Sequence, residues 1–324
     1  MIEINDPKDF FELQSSIPRI PFTQSKGWHD YQNFRSAKIR YFVNDPSDVK
    51  IALWGKEKKI PVLGKKMFLT EGEALSSNLD ETQITSFFKE IKKLNYNAIL
   101  INSNNEYFVD YEIGIRRAGL VRPLGEFSCP LTLIIKLQNL PKHNRNWKRN
   151  VKSAVDSGLV FTEIISPDKK DVECFVSLFN EMAELKKLSY ELLFAPLNQL
   201  INDPEMRLFV VKQNEVPIAA RIIHVNGKFA SDVYAANSLE ARNNGASYFI
   251  MQSIFEELKS EGIEEFDFGR IPPSDHATDN VYVFKKASGG SPIQYNGEWV
   301  YFKSKRIEVL FTLYQLFKLK RQRY

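Results

Sequence analysis

The sequence has few of the groups that mark secreted, metal-binding or membrane-spanning proteins. Its two cysteines, Cys129 and Cys174, are far apart, and its first residues, M-I-E-I-N-D-P, contain neither the basic nor the apolar region of a signal peptide. No apolar run approaches the roughly 18 residues that indicate a membrane span. These absences exclude a disulfide framework and predict a protein that works in the reducing cytoplasm.

Common metal, nucleotide and hydrolase motifs are also missing. The 4 histidines have no metal-ligand spacing with one another or with the cysteines, so we predict no metal site. No P-loop and no G-x-S-x-G pentapeptide occurs, which leaves little support for a nucleoside triphosphatase or a serine hydrolase. The net charge is only +4, so any anionic partner must be recognised by local clusters of cations.

The order of the predicted elements indicates the fold class. The 324 residues suffice for two domains of ordinary size. In each half, strands in meander spacing precede a helix and a further strand: Glu81 to Leu94 with Ala98 to Ile101, and Ala246 to Glu261 with Glu265 to Phe268. This order predicts an α/β fold made of a duplicated unit, with mixed sheets flanked by helices. The proline-rich segment Ile17 to Trp28 is expected to be extended.

A glycine turn, R-N-N-G-A-S, opens the long helix of the second half. A helix start leaves backbone N–H groups unpaired, and these can bind an anion such as a diphosphate. Gly245 would keep the amides accessible, while the Ser247 hydroxyl and the Arg242 guanidinium would add contacts. An ordinary helix cap without a ligand is the alternative. A helix terminus stabilises a charge by only about 0.3–2 kcal/mol, so this turn alone would bind weakly.

A cluster of cations lies on the predicted helix Asn146 to Ser157 and its start. These cations have the spacing i, i+3, i+4, i+7 and share one face, the basic stripe: Arg145, Lys148, Arg149 and Lys152. The expected buried face consists of Trp147, Val151, Ala154 and Val155. Like charges at this spacing repel by about 0.2–0.5 kcal/mol, whereas solvated faces usually mix signs. The basic stripe therefore favours an anionic partner: a diphosphate, a nucleotide or RNA.

Lys285 and two carboxylates are candidates for chemistry. A lysine in a closed site can stabilise the oxyanion that forms when an amine attacks a carbonyl, and losing one such donor costs roughly 2.7–4 kcal/mol of barrier. On spacing alone, a surface lysine pair before a turn explains Lys285 and Lys286 better. Asp232 and Asp267, expected at strand ends, are candidates for a general base, with substrate or water as the alternative.

The C-terminal segment predicts a helix with an apolar face. Its apolar residues have helical spacing and precede K-L-K-R-Q-R-Y: Val309, Leu310, Leu313, Leu316 and Phe317. The favoured interpretation is a helix that packs on the core and ends in a frayed basic tail. The alternative is an amphipathic helix that rests on an anionic bilayer.

Several segments of the chain match one known family. They are T-Q-S-K-G-W (Thr23 to Trp28), W-K-R-N-V-K-S-A-V-D-S-G-L (Trp147 to Leu159), M-R-L-F-V-V (Met206 to Val211), F-D-F-G (Phe266 to Gly269) and V-Y-V-F-K-K-A-S-G-G (Val281 to Gly290). Together they resemble the FemABX peptidyltransferases, in the short form without a coiled-coil arm. The resemblance implies two GNAT-like (acyl-CoA N-acyltransferase-like) domains, expected at residues 1–143 plus 300–324 and at residues 144–299.

The resemblance also implies an activity. It implies transfer of an aminoacyl group from aminoacyl-tRNA to an amine of a nucleotide- or lipid-linked cell-envelope precursor such as that of peptidoglycan, with no permanent cofactor and no metal. Lys285 would support the tetrahedral intermediate and Phe284 would shape the acyl pocket. The remaining expected contacts are the basic stripe, Trp28 and Tyr234 for the acceptor or tRNA, and Arg242, Gly245 and Ser247 for donor phosphates. The expected location is cytoplasmic, and contact of the basic tail with the inner membrane surface is the alternative already given for the C-terminal helix.

Departures from the family pattern keep alternatives open. The phosphate-contacting lysine expected just after Trp28 is replaced by Asp30, and no arginine occurs near Ser189 and Tyr190, where a second contact is expected. The turn Arg242-x-x-Gly245-x-Ser247 also approaches the pyrophosphate loop of acyl-CoA-dependent GNAT enzymes. The first alternative is therefore an acyl-CoA N-acyltransferase for an amino sugar or peptide amine of envelope polysaccharide. The second is a non-catalytic binding protein on the same scaffold.

Overall fold

The computed structural model describes residues 1–34, 38–59, 64, 66–124, 128–140, 143–188, 190–271 and 280–322. The chain divides into two compact units. The first unit comprises Met1–Ser25, Ser36–Leu131 and Ile293–Tyr324, and the second comprises Lys26–Arg35 and Thr132–Pro292. Each unit is therefore assembled from segments that are distant in the sequence.

Strands and helices are interspersed along the described residues. The strands are β1 (Ile2–Ile4), β2 (Lys38–Val43), β3 (Ile51–Lys59), β4 (Lys66–Thr70), β5 (Ala74–Leu75), β6 (Ala98–Glu106), β7 (Leu131–Lys136), β8 (Val160–Ile164), β9 (Met206–Gln213), β10 (Val216–Asn226), β11 (Phe229–Asn237), β12 (Glu265–Asp267) and β13 (Ser291–Phe302). The α-helices are α1 (Pro7–Gln14), α2 (Lys26–Phe34), α3 (Glu81–Lys93), α4 (Val109–Arg117), α5 (Arg145–Asp156), α6 (Lys169–Leu185), α7 (Phe194–Ile201), α8 (Leu239–Asn243), α9 (Ala246–Ser260), α10 (Asn280–Ala287) and α11 (Lys305–Gln322).

The first unit is built around a mixed sheet with the strand order β1-β2-β3-β4-β6-β13, and β5 pairs with β3. Strands β4 and β6 are parallel, and the connection between them contains α3. A capping box fixes the start of α3, because the side chains of Asp80 and Gln83 each bind the other residue's backbone N–H. The apolar face of α3 then packs, together with Trp299 of β13, in the core of this unit.

The second unit contains a mixed sheet with the strand order β7-β12-β11-β10-β9-β8. Strands β11 and β12 are parallel, with α9 in the connection between them. Alternate residues of a strand face opposite sides of a sheet. Leu208 and Val210 of β9 accordingly enter the core with α6 and α7, while Phe209 and Val211 enter the core with α5 and α9. Helices therefore cover both faces of this sheet, as predicted.

Three local predictions are wrong. The segment Ile17 to Trp28 is not extended throughout, because it contains a 3₁₀ turn at Phe22–Gln24 and the start of α2. Asp232 lies inside β11 and not at a strand end. Val155 is predicted on the buried face of α5 but is 57% exposed. The fully buried residues of this helix are Trp147 and Ala154.

The C-terminal helix α11 leaves most of its apolar face exposed. Ile307 is 3% exposed, and the Phe311 ring lies 5.0 Å from the ring of Phe302. Exposure of 49–57% is found for the other large apolar side chains described on this helix: Val309, Leu310, Leu313, Leu316 and Phe317. The helix therefore contacts the first unit through Ile307 and Phe311, and not through the five residues that the sequence pattern indicates. No helix within the described ranges combines the length and the apolar character that a bilayer span requires.

Candidate functional site

Helix α10 holds its two lysines in different environments. Lys285 is part-buried, and its Nζ donates to the carbonyl oxygen of Phe268 at 2.6 Å and lies 5.5 Å from the centre of the Phe268 ring. Lys286 is exposed. Consecutive helix residues project about 100° apart, so only one of the two can face the end of β12. The structure therefore fixes the Lys285 ammonium group inside the second unit.

Phe284 anchors this helix to its neighbours. Its ring stacks on Trp147 of α5 with a centroid distance of 5.7 Å, and it meets Tyr248 of α9 edge-on at 5.0 Å. The guanidinium carbon of Arg221 lies 5.8 Å from the centre of the Phe284 ring. Phe284 thus connects α10 both to the helices above the sheet and to a charge on β10.

That charge belongs to a buried ion pair between adjacent strands. Arg221 Nη1 donates to Asp232 Oδ2 at 2.6 Å, and the two side chains are 5% and 7% exposed. The register between β10 and β11 skips Val233, a bulge of the kind that re-aims side chains beside functional sites. Among the described residues, Arg221 Nε and Asp232 Oδ1 have no hydrogen-bond partner. Buried polar atoms without a partner are unusual, which makes this pair a candidate functional feature.

Asp267 has a different role in the local structure. It ends β12 as predicted, and its Oδ1 accepts from the Thr132 hydroxyl at 2.6 Å and from the Gly269 N–H at 2.8 Å. Gly269 has a φ of 68°, which glycine adopts readily. Asp267 therefore shapes the turn that presents the Phe268 carbonyl to Lys285.

The electrostatic surroundings of Lys285 combine cations and carboxylates. Burial lowers the pKa of Lys285, and the negative charges of Asp232 and Asp267 oppose this effect. The positive charges of Arg221 and Lys186 reinforce the lowering of that pKa. We call these five residues the charged cluster. Its cations outnumber its carboxylates, an arrangement that favours an anionic group or a transition state that becomes negative.

The predicted diphosphate turn is packed against another helix. Gly245 precedes α9 with a φ of 81°, and a Cβ atom there would lie 2.2 Å from the carbonyl oxygen of Asn150 in α5. The Ser247 hydroxyl is bonded to a neighbouring asparagine side chain at 3.0 Å. Arg242 is exposed at the end of α8. The positive φ and the close approach of α5 thus explain the glycine without a ligand.

The basic stripe is exposed, as its spacing predicts. Helix α5 is held in place by Trp147, which is 1% exposed and donates from Nε1 to Gln252 Oε1 at 3.1 Å. Among the described residues, no carboxylate forms an ion pair with the four cations of the stripe: Arg145, Lys148, Arg149 and Lys152. The stripe therefore presents cations that no described carboxylate holds in an ion pair, with Asp156 one turn beyond Lys152.

Trp28 and Tyr234 lie in one aromatic group. The Trp28 ring stacks on Tyr31 with a centroid distance of 4.9 Å and lies 6.5 Å from Tyr234. The hydroxyls of Tyr234 and Tyr31 are 3.5 Å apart, and Phe179 meets Tyr234 edge-on at 5.8 Å. The structure thus brings these two predicted contacts together, on α2 and on the strand that carries Asp232, whereas the basic stripe lies on another helix.

Asp30, which departs from the family pattern, is engaged within α2. Its carboxylate oxygens lie 2.5 Å from Lys26 Nζ and 2.8 Å from His29 Nδ1. The second departure concerns Ser189, which lies outside the described residues, and Tyr190, whose ring is 5.8 Å from that of Phe179. Asp30 carries the charge that repels a phosphate, so this position does not supply the expected cation.

One group of carboxylates has the spacing of metal ligands among the described residues: Glu163, Glu257 and Glu261. Arg207 already binds two of them, with 2.6 Å from Nη2 to Glu163 Oε2 and 2.5 Å from Nη1 to Glu261 Oε2. These ion pairs explain why the carboxylates lie together, and a cation beside them would be repelled by the guanidinium group.

Arg221 and Lys186 are functional candidates that sequence reasoning does not find. Arg221 has a usable signal, because it interrupts the apolar run P-I-A-A-R-I-I-H-V, and a charge inside a buried strand needs a partner. Lys186 has no such signal, since it follows a helix of mixed charge. Its place in the charged cluster depends on the packing of α6 beside the sheet.

Comparisons with known proteins give matches in family and fold. The FemAB family model matches residues 204–319. The crystal structure of FemX has a TM-score of 0.77 at 15% identity and covers 96% of this chain and 100% of that one. The structure of L-PGS from Bacillus licheniformis has a TM-score of 0.64 at 14% identity, covering 95% and 96%. A tandem GNAT protein of the clavulanic acid biosynthesis pathway has a TM-score of 0.52 at 10% identity, covering 92% and 94%. No curated protein matches in sequence.

The structural likenesses extend along almost the whole chain and establish the fold. The predicted fold of two GNAT-like domains is therefore confirmed. The family match covers the segment that contains Arg221, Asp232, Asp267 and Lys285, which is most of the charged cluster.

Proposed function

We infer that this chain, a FemAB family protein by the match of its residues 204–319, is an acyltransferase that moves an aminoacyl group from aminoacyl-tRNA to an amine of a peptidoglycan or other cell-envelope precursor. The observation that carries this proposal is the part-buried ammonium group of Lys285, fixed on the Phe268 carbonyl within the charged cluster. Amide formation passes through an oxyanion, and a preorganised cation is well suited to stabilise it.

Lys285 acts on the tetrahedral intermediate in this proposal. The acceptor amine attacks the ester carbonyl carbon of the donor, a C–N bond forms, and the carbonyl oxygen becomes an oxyanion. The C–O bond to the ribose then breaks and the ribose oxygen leaves. Phe268 accepts one N–H of the Lys285 ammonium group, so the other N–H donors remain for the oxyanion. The bond to Phe268 holds the charge in place before substrate arrives.

Asp232 is the better candidate for the general base. Its Oδ2 is paired with the Arg221 guanidinium group, and its Oδ1 is the oxygen that has no hydrogen-bond partner among the described residues. It would take the proton from the attacking amine and pass it to the leaving ribose oxygen. Asp267 instead has its Oδ1 bonded to Thr132 and Gly269, which gives it a positioning role.

Two features of the second unit support tRNA as the donor. The basic stripe presents cations that form no ion pair within the described part of the chain, which suits a phosphate backbone. Gly245 is packed against the Asn150 carbonyl, whereas a diphosphate-binding turn needs open space at the helix start. The acyl-CoA alternative rests on the sequence pattern Arg242-x-x-Gly245-x-Ser247.

A comparison of donors tests the proposal. The chain would be incubated with tRNA charged with labelled amino acids, or with labelled acetyl-CoA, and with amine-bearing envelope precursors, and base-stable label in the precursor would be measured. We expect transfer from charged tRNA, and no thermal stabilisation by coenzyme A. Transfer from acetyl-CoA alone would contradict the donor assignment. Precursor binding without transfer from either donor would favour the binding protein over an enzyme.

A further inference from the structure

His143 is a partly buried titratable residue that the proposed function does not use. It lies just before α5, and its ring stacks on the Trp147 indole with a centroid distance of 4.7 Å and an interplanar angle of 19°. Trp147 in turn stacks on Phe284 of α10 at 5.7 Å, also with an angle of 19°. Three aromatic side chains thus form one continuous stack, which we call the ring stack: His143, Trp147 and Phe284.

The ring stack ends beside the lysine that the proposed function places at the oxyanion. Phe284 directly precedes Lys285, whose Nζ lies 2.6 Å from the carbonyl oxygen of Phe268. Other residues of α10 face outward, since Val281 and Val283 are 47% and 63% exposed, whereas Phe284 packs against the core of the second unit. The position of the Phe284 ring therefore affects the position of Lys285 on the same helical turn.

His143 also interacts with the residue that follows α10. Interactions with the Ser288 backbone and with the Gln252 side chain raise the pKa of His143 and oppose the larger effect of burial. Ser288 is fully buried, and its hydroxyl donates to the carbonyl oxygen of Lys285 at 2.5 Å. His143 is thus connected to both neighbours of the lysine helix turn, to Phe284 through Trp147 and to Ser288 directly.

The surroundings of His143 keep its ring uncharged at neutral pH. Burial lowers the pKa of His143, and the positive charge of Lys148 on α5 adds to the lowering, whereas Glu256 on α9 opposes it. Among the described residues, Nδ1 is buried and has no hydrogen-bond partner. An imidazolium ring would place a donor there without an acceptor, which costs free energy. His143 therefore packs on Trp147 as a neutral aromatic ring.

We propose that His143 is a positioning residue for Lys285: its ring closes the ring stack and thereby holds Phe284, and with it the ammonium group beside the Phe268 carbonyl. Without the ring, Trp147 loses its packing on one side, α10 gains freedom, and the ammonium group leaves its partly buried position. The catalytic consequence rests on the proposed function, whereas the placement of Lys285 does not.

Competitive labelling with acetic anhydride tests the placement of Lys285 without a transfer assay. Acetylation of Lys285 and of Lys286 would be followed against pH by mass spectrometry, so that one peptide reports both amines. In the unchanged chain Lys285 should titrate at lower pH than the exposed Lys286. His143→Ala should shift the titration of Lys285 upward, toward that of Lys286, and leave Lys286 unchanged.

Two further variants separate positioning from a general loss of packing. His143→Phe keeps an aromatic ring at the end of the ring stack and should retain the Lys285 titration of the unchanged chain. Val155→Ala shortens an exposed side chain on α5 and is the matched control, which should leave both titrations unchanged. A Lys285 titration that is unchanged in His143→Ala, or that shifts equally in His143→Ala and His143→Phe, would overturn the proposal.

Transfer kinetics distinguish this inference from the proposed function. His143→Ala should lower kcat from charged tRNA about tenfold to a hundredfold with little change in KM, because a misplaced ammonium group fits the oxyanion less well. His143→Phe should restore most of kcat. A loss confined to KM would contradict the positioning role. If the unchanged chain transfers nothing, the proposed function fails, and the labelling experiment still decides whether His143 positions Lys285.

Discussion

Each unit buries a carboxyl group in its polar interior, and the two groups are neutralised in different ways. In the first unit Glu73 is fully buried, and its Oε1 accepts from the Ser103 hydroxyl at 2.6 Å and from Asn105 Nδ2 at 3.2 Å. In the second unit Asp232 is paired with the guanidinium group of Arg221 at 2.6 Å. One carboxyl group has neutral donors around it, and the other has a fixed cation.

This difference determines the charge that each interior can hold. Burial raises the pKa of Glu73 to about 7, so a proton neutralises this group over part of the physiological range. Burial, followed by the negative charge of Glu73, also raises the pKa of the neighbouring Tyr111. The second unit instead keeps cations in excess around Asp232 and Lys285. The interior of the second unit thus holds fixed cations beside its carboxylate, as the proposed function requires, whereas Glu73 in the first unit is surrounded by neutral donors.

Breaking the Arg221–Asp232 pair is expected to have the largest effect. Arg221→Ala leaves a buried carboxylate without its cation, and such changes cost about 3–5 kcal/mol in the free energy of unfolding. Glu261→Ala is the control, because it breaks the Arg207–Glu261 pair, whose side chains are 16% and 38% exposed, and should cost about 0–1 kcal/mol. Denaturant unfolding measures both. Equal costs for the two variants would mean that the second unit holds no strongly coupled buried charge.

Removing Lys285 should come next in size. Lys285→Ala should lower kcat about 10²–10³-fold with little change in KM. The variant loses a bond to the oxyanion, and that bond is made only in the transition state. Lys286→Ala, on the exposed side of the same helix, is the matched control and should leave both constants unchanged. The transfer assay from charged tRNA measures them. A normal kcat for Lys285→Ala would contradict the proposal that Lys285 stabilises the oxyanion.

The pH dependence of the same step sharpens this prediction. The ammonium form of Lys285 is the active one, so activity should fall as pH rises through its pKa, which burial lowers from the usual value. Lys285→Arg should move this fall to higher pH, since a guanidinium group keeps its proton. If activity falls at the same alkaline pH in the unchanged chain and in Lys285→Arg, a group other than Lys285 causes the fall.

Glu73→Gln probes the first unit and should change stability rather than activity. Between the ordinary pKa of 4.5 and the folded value of about 7, the folded state holds a proton that the unfolded state has lost. Stability therefore falls as pH rises through this window, by about 3 kcal/mol in total. Glu73→Gln should flatten the fall, as measured by denaturant unfolding at about pH 5 and about pH 8. The exposed Glu106→Gln should leave it intact, and a fall that persists in Glu73→Gln would refute the assignment.

The sequence predicts the architecture because strands and helices each require a characteristic spacing of apolar residues. Alternating cores on β9 and the capping box of α3 are local patterns, and the segments F-D-F-G and V-Y-V-F-K-K add a resemblance to a family and a candidate lysine. Each of these features lies within a short segment of the sequence. Such features identify the helices and strands, but they do not show which residues of different elements face one another.

What the sequence misses depends on contacts between distant elements. The Arg221–Asp232 pair arises from the β10–β11 register and its bulge at Val233, which no local pattern specifies. The sequence around Gly245 predicts a phosphate-binding turn, and it does not show that the carbonyl oxygen of Asn150 in α5 lies against this glycine. The apolar spacing of α11 predicts a helix, but it does not show which side the first unit covers.

The smallest stability effect is expected on the basic stripe, where it separates two kinds of charged surface. Lys148→Glu removes the repulsion with Lys152 one turn away and should stabilise the chain by about 0.2–0.5 kcal/mol. The same change should weaken tRNA binding and reduce the slope of log affinity against log salt by about 0.7–0.9 for a lost phosphate contact. Lys169→Glu is the control on α6, away from the basic stripe, where the lysine pairs with Glu173 at 3.5 Å, and it should leave the salt slope unchanged. Filter binding over a salt series gives the slopes. If Lys148→Glu stabilises the chain and leaves tRNA binding unchanged, the stripe is an ordinary surface with an unfavourable charge pattern, and the charged cluster is then the remaining candidate for binding an anionic group.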